Sequence, residues 1–144
     1  MIRLAAVGPA DTVFDLGSGD GRLVIAAASE CGARGIGVDI ALRRVLQSRI
    51  KALFAGVSRR VRFVHGDAYG VDLSAATVIF LYLLPSSTQR MAVHLLRHVK
   101  PGTRIVSHTF AVDFMPATAV DAFVDSEGMA RVVHLWVVDR PSLR

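Results

Sequence analysis

The 144-residue chain predicts a single α/β domain with a mostly parallel sheet, helices on both faces and an antiparallel hairpin at its C-terminal end. Three observations carry this. Short apolar runs alternate with helix-length stretches from Val13 to His108, the rhythm of successive βα units. Residues 77–83 are apolar throughout, as expected of a central strand covered on both faces. Beyond His108 come two extended runs, 118–124 and 131–138, joined by Ser126-Glu127-Gly128, the pattern of a hairpin.

The elements follow in order. Residues 13–16 read as the first strand, 21–29 as a helix stopped near Gly32, and 35–39 as a short second strand. Residues 41–55 read as a helix in which Leu42, Val45, Leu46, Ile50, Leu53 and Phe54 form an i, i+3, i+4 stripe, so this stripe is expected to face the core. Gly56 is its stop. Residues 61–64 and 77–83 are strands three and four. Ser86 is expected to cap a helix running to about Val99. Pro101-Gly102 makes a turn, and 104–108 is strand five. There is no repeat, low-complexity tract or linker, so residues 1–144 form one domain.

Composition narrows the class. Hydrophobic residues make up 52% and charged residues 20%, enough apolar matter for a core and too little charge for a disordered chain. The single Cys31 excludes a disulfide framework within the chain and any multi-cysteine zinc site. It reads as a packed small residue near a helix end. No apolar run reaches the ~18 residues of a transmembrane span. Met1-Ile2-Arg3-Leu4 is no secretory signal, so a soluble cytoplasmic protein is expected. The net charge of +5 permits acidic partners, either nucleic acid or an anionic membrane surface. The densest basic groups, Arg43-Arg44 with Arg49 and Lys51, and Arg59-Arg60 with Arg62, read as solvated surface.

Chemistry concentrates at Asp15-Leu16-Gly17-Ser18-Gly19-Asp20-Gly21, between the first strand and the first helix. Glycine there lets a ligand approach backbone. A dinucleotide fingerprint spaces its glycines G-x-G-x-x-G and cradles an anionic diphosphate. Here the spacing is D-x-G-x-G-x-G, and a carboxylate ahead of the glycines suits a ligand with a cationic amino group. The following strands also end in acids or lead into them: Asp39 ends strand two, and His65-Gly66-Asp67-Ala68 follows strand three. An acid in the position of Asp39 can accept two ribose hydroxyls, Ile40 can pack on a base, Asp67 can accept an exocyclic amine and the Ala68 backbone can donate to a ring nitrogen. Taken singly, Asp39 can equally cap the next helix and Asp67 a turn.

The Asp15–Gly21 turn resembles motif I of the class I S-adenosylmethionine-dependent methyltransferases. The resemblance implies a Rossmann-like sheet and S-adenosyl-L-methionine as cofactor, with S-adenosyl-L-homocysteine as product. It implies Asp15 facing the methionine part and Gly17, Ser18 and Gly19 passing beside it. Asp39, Ile40, Asp67 and Ala68 would hold the nucleoside. Together with Leu81-Tyr82-Leu83-Leu84-Pro85, Lys100-Pro101-Gly102-Thr103-Arg104 and Leu135-Trp136-Val137-Val138, it is similar to small prokaryotic enzymes akin to the lysine methyltransferases of the mitochondrial ATP synthase c subunit and adenine nucleotide translocase. That implies a protein lysine as acceptor. RNA or a small metabolite stays open as the alternative, as does a non-catalytic cofactor-binding module. Relatives carry a proline- and tyrosine-containing segment before the first helix. Met1-Ile2-Arg3-Leu4 does not supply it, which implies a truncated chain or a more open site.

Tyr82 is the first candidate to position the acceptor amine, and His108 the second, to touch substrate or relay a proton. A buried strand aromatic and a structural histidine are the competing uses. His65, His94, His98 and His134 share no metal-ligand spacing, and no metal is required. Trp136 reads as core. Phe110 and Phe114 sit in a loop that either lines a channel or covers the sheet.

Overall fold

A computed structural model describes residues 1–113 and 115–139. Its elements are β1 (Thr12–Leu16), α1 (Arg22–Cys31), β2 (Arg34–Asp39), α2 (Leu42–Phe54), β3 (Val61–His65), a short 3-10 turn (Ala68–Gly70), β4 (Val78–Leu81), α3 (Pro85–His98), β5 (Arg104–His108), β6 (Ala119–Val124) and β7 (Ala130–Val137). They form one seven-stranded sheet in the order β3-β2-β1-β4-β5-β7-β6. The first five strands run parallel and β7 pairs antiparallel with both β5 and β6. The expected architecture and hairpin are present.

Alternation along the strands divides the core. Phe14, Leu16, Ile79, Leu81 and Ile105 face α3, through its Met91 and Leu95, and Trp136. Val13, Val78, Phe80 and Val106 face the other way with Ala27 of α1 and the N-terminal Ala5. Phe14, Phe80 and Trp136 are fully buried, and each such side chain contributes roughly 1.5–3 kcal/mol. Trp136 also donates Nε1–H to the Met115 carbonyl at 2.9 Å, so its role is core packing, as expected. Cys31 is half-buried at the end of α1.

Two local expectations fail. The helix before strand five begins at Pro85 with Leu84 as N-cap and no side-chain cap bond, so Ser86 does not cap it. The fixed φ of proline suits the first helical position, and Thr88 bonds back to the Leu84 carbonyl at 3.1 Å. Of the apolar stripe of α2, Val45 faces inward and the other members face outward. Val45, Ser48 and Ala52 are the buried residues of the helix, whereas Leu42, Leu46, Ile50, Leu53 and Phe54 are 47–90% exposed.

The reason is close approach. A Cβ at Gly21 would lie 2.8 Å from both the Phe63 ring and Ser48 Oγ. A Cβ at Gly37 would lie 2.7 Å from Phe63. Ser48 of α2 thus sits against the turn before α1, in space that a side chain at Gly21 would fill, and Val45 and Ala52 complete the inward face of the helix.

Candidate active site

The strand order reverses between β1 and β4, which places a crevice at the carboxyl ends of these strands, where open α/β sheets take ligands. The turn leaving β1 is pinned by backbone: Gly17 and Ser18 N–H both donate to the Val38 carbonyl, at 2.8 and 2.9 Å. Gly17 has φ 93°, a conformation costly for any residue with a Cβ. Gly19 N–H donates to Asp39 Oδ2 at 2.9 Å, and Ala41 N–H donates to Asp39 Oδ1 at 2.8 Å. Asp39 therefore ties the glycine turn to the start of α2. Each carboxylate oxygen has a second acceptor position, so this structural use leaves capacity for ligand hydroxyls.

Asp15 is buried, and its Oδ1 has no hydrogen-bond partner among the described residues. Burial, reinforced by the nearby Asp39 carboxylate, pushes its pKa up to about 7. A buried, unpartnered acid is destabilising. A cationic amino group arriving at Asp15 would supply the missing partner, so the residues present fit the amino-acid end of S-adenosylmethionine.

A cleft of about 670 Å³ continues from the turn and is lined by Gly17, Asp39, Ile40, Asp67, Ala68 and Tyr82 among others. Ile40 is 78% exposed, an apolar side chain left open where a flat base would cover it. Asp67 caps the 3-10 turn by accepting from Tyr69 N–H at 2.9 Å. Its turn-stabilising use is real, and the turn presents Ala68 to the same cleft. The structure thus gathers the expected nucleoside-side residues around one cavity, which Gly17 also lines; Asp15, buried near the end of β1, and Ser18 and Gly19, in the turn, are not among its lining residues.

Tyr82 departs from expectation in a useful way. β4 ends at Leu81 rather than residue 83, so Tyr82 leaves the sheet, is 62% exposed and lines the cleft. It is not a buried strand aromatic. His108 stands edge-on to it, with ring centroids 4.8 Å apart at 68°, and is not among the cleft-lining residues. Its Nδ1 lies 2.8 Å from Thr109 Oγ1, and Thr109 has φ 76°, a strained state for a β-branched residue. Burial first, then the positive charges of Arg131 and the N-terminus, lower the His108 pKa below its ordinary value. These causes favour the neutral imidazole.

Sequence reasoning missed Arg44, Ser87, Arg90 and Met91, which also line the cleft. They come from the first turn of α2 and the first two turns of α3, where no local motif marks them. It also gave Gly21 no role beyond the helix start. The loop after β5 packs inward: Val112 is buried in the core, and Gln89 of α3 clamps the loop by bonds to Ala111 and Asp113. Phe110 is half-buried and Phe114 lies outside the described residues. Among the described residues, no cluster of His, Cys, Asp or Glu is arranged to hold a metal ion.

Comparison with known proteins agrees with this geometry. The family model of the ANTKMT methyltransferase domain matches residues 15–132. The chain is 34% identical to a protein-lysine N-methyltransferase of Saccharolobus islandicus, over 96% of this chain and 86% of that one. It is 34% identical to the mouse adenine nucleotide translocase lysine N-methyltransferase over 88% of its own length, spanning about half (52%) of the mouse protein. Among solved structures it resembles a Salinibacter ruber protein described as an RNA methyltransferase in complex with S-adenosyl-L-homocysteine. That likeness has a TM-score of 0.88 and 42% identity, covering 96% of this chain and 87% of that one. With the orphaned Asp15 and the nucleoside-sized cleft, these matches establish that the chain belongs to the ANTKMT methyltransferase domain family and is an S-adenosylmethionine-dependent class I methyltransferase.

Proposed function

We propose that this enzyme methylates the side-chain amine of a protein lysine, acting as one domain over residues 1–144 in the cytoplasm. The observation that carries the reading is Tyr82, exposed at the cleft and with His108 edge-on to its ring. The lysine methyltransferases to which the chain is similar support the choice of acceptor. The single continuous sheet supports one domain, and no helix among the described residues is long and apolar enough to cross a membrane.

S-adenosylmethionine supplies a methyl group already activated on a sulfonium. Asp15 would hold its amino group, Asp39 the ribose hydroxyls, and Asp67 with Ala68 the adenine, against Ile40. The protein's remaining task is to bring in a nucleophile and orient it. A lysine amine is ordinarily charged, with a pKa near ~10.4, and must lose a proton to react. The Tyr82 hydroxyl can orient the amine, and its ring face can hold the cationic form on arrival. His108, edge-on to the ring, can relay the released proton toward solvent.

RNA is the second reading. Arg44 and Arg90 line the cleft, and the Salinibacter protein is described as an RNA methyltransferase. One experiment separates the two. The purified chain is incubated with methyl-labelled S-adenosylmethionine and cell lysate, and the product is divided between protease and ribonuclease. The expected label is protease-sensitive and recovered as methyl-lysine after acid hydrolysis. Ribonuclease-sensitive label with none in lysine would overturn the proposal.

A further inference from the structure

The outward face of α2 has no use in the cofactor site. Leu42, Leu46, Ile50 and Phe54 stand four residues apart along it, with Leu53 beside them, and all are exposed, Phe54 by 90%. These are the largest apolar side chains of the helix, while its buried positions are Val45, Ser48 and Ala52. Leu42, Leu46 and Ile50 line one shallow depression with the stems of Arg43 and Lys51. A second, between α2 and the sheet-edge strand β3, is lined by Leu53, Arg49 and Arg62.

Charge around this face has one sign. From Ala41 to Gly66 the chain carries seven of its 17 lysines and arginines and no aspartate or glutamate. Lys51 is paired with Asp20 and Arg44 lies near Asp39. Arg43, Arg59 and Arg62 are exposed and have no carboxylate partner among the described residues.

We propose that the α2–β3 face docks the enzyme on an anionic lipid bilayer. An apolar ridge bordered by arginines matches the layered chemistry of that surface: Leu, Ile and Phe enter the acyl boundary while long basic side chains reach back to the headgroups. A second copy of the chain fits poorly, because self-pairing would set the arginines against each other. Nucleic acid would satisfy the arginines, but Phe54 alone in the ridge has a face for a base to stack on, and Leu42, Leu46, Ile50 and Leu53 offer bases neither stacking nor hydrogen bonds. Ile40 and Leu42 join the ridge to the rim of the cofactor cleft, so a docked enzyme holds its site beside the membrane.

The test is co-sedimentation of the full chain with vesicles of phosphatidylcholine plus phosphatidylglycerol, and with phosphatidylcholine alone. Binding is expected only with the anionic vesicles. The variant Leu46→Gln/Ile50→Gln/Phe54→Gln should abolish it. Arg43→Gln/Arg59→Gln/Arg62→Gln should weaken it ~10-fold or more. Both variants should keep wild-type circular dichroism and S-adenosylhomocysteine affinity, since the altered side chains are exposed and lie outside the cleft. No sedimentation with anionic vesicles would overturn the proposal, as would undiminished binding by the apolar variant. So would a solution dimer that the apolar variant dissolves, because the ridge would then be covered by a second copy.

Discussion

Affinity for the cofactor should depend on pH through Asp15. This acid is buried without a partner for Oδ1, and its pKa is raised to about 7. A cationic amino group is held by the ionised form alone. In the free protein that form is half-populated near pH 7 and falls tenfold per pH unit below it. The dissociation constant for S-adenosylhomocysteine should therefore rise about 50-fold between pH 7 and pH 5, and change little above pH 8, by single-site linkage.

Asp15→Asn should flatten this profile. It should also weaken binding at pH 8 by ~1.5–3 kcal/mol, the range of a hydrogen bond to a charged group. Folding carries the opposite sign. The folded-state pKa lies above the ordinary 3.8, so the folded protein holds this proton more tightly. The stability this group contributes at acid pH is lost as pH rises through about 7. At ~1.36 kcal/mol per pKa unit the loss approaches ~4 kcal/mol, and Asp15→Asn should raise the melting temperature of the cofactor-free protein at pH 8. The assay is calorimetric titration from pH 5 to 8 with thermal melts in the same buffers. A flat wild-type affinity profile, or the full slope persisting in Asp15→Asn, would refute the reasoning.

Other expectations follow from the same geometry. Gly21→Ala introduces a Cβ 2.8 Å from Phe63 and Ser48 at φ 80°; urea denaturation should show a loss of ~2–5 kcal/mol from strain and overpacking together. Tyr82→Phe should lower kcat about tenfold, one hydrogen bond's worth of transition-state positioning, with S-adenosylhomocysteine affinity unchanged; unaltered turnover would remove the hydroxyl from the mechanism. Arg104 is ion-paired with Asp11 and donates to the Ala5 carbonyl, joining β5 to the N-terminal segment. Arg104→Met should destabilise by ~2–3 kcal/mol in thermal melts, and a double-mutant cycle with Asp11→Asn should show coupling.

The strand-and-helix order was readable because β4 is a continuous apolar run, because β1 and β5 each carry an apolar pair bounded by polar residues, and because the acids fall at or near strand ends, where a parallel sheet must open. The direction of α2 was not. Periodicity says that Leu42, Leu46 and Ile50 share a side, but not which side meets the sheet. That was decided at a distance: Gly21 lets Ser48 of α2 approach closely, Val45 and Ala52 fill the inward positions beside it, and the larger residues are turned outward. Arg44 and Arg90 escaped notice for a similar reason, since helix packing rather than any motif brings them to the cleft. Tyr82 was singled out from its place near the end of the apolar run read as strand four. Its exposure depends on β4 stopping at Leu81, which propensity alone does not fix.

The account rests on the acids at the strand ends forming one cofactor site, and calorimetric titration of wild type and Asp39→Ala with S-adenosylhomocysteine, beside NAD, tests that directly. Saturable binding of S-adenosylhomocysteine, none of NAD, and loss of binding in a folded Asp39→Ala protein is the predicted result. Preference for NAD, or wild-type affinity in Asp39→Ala, would contradict it.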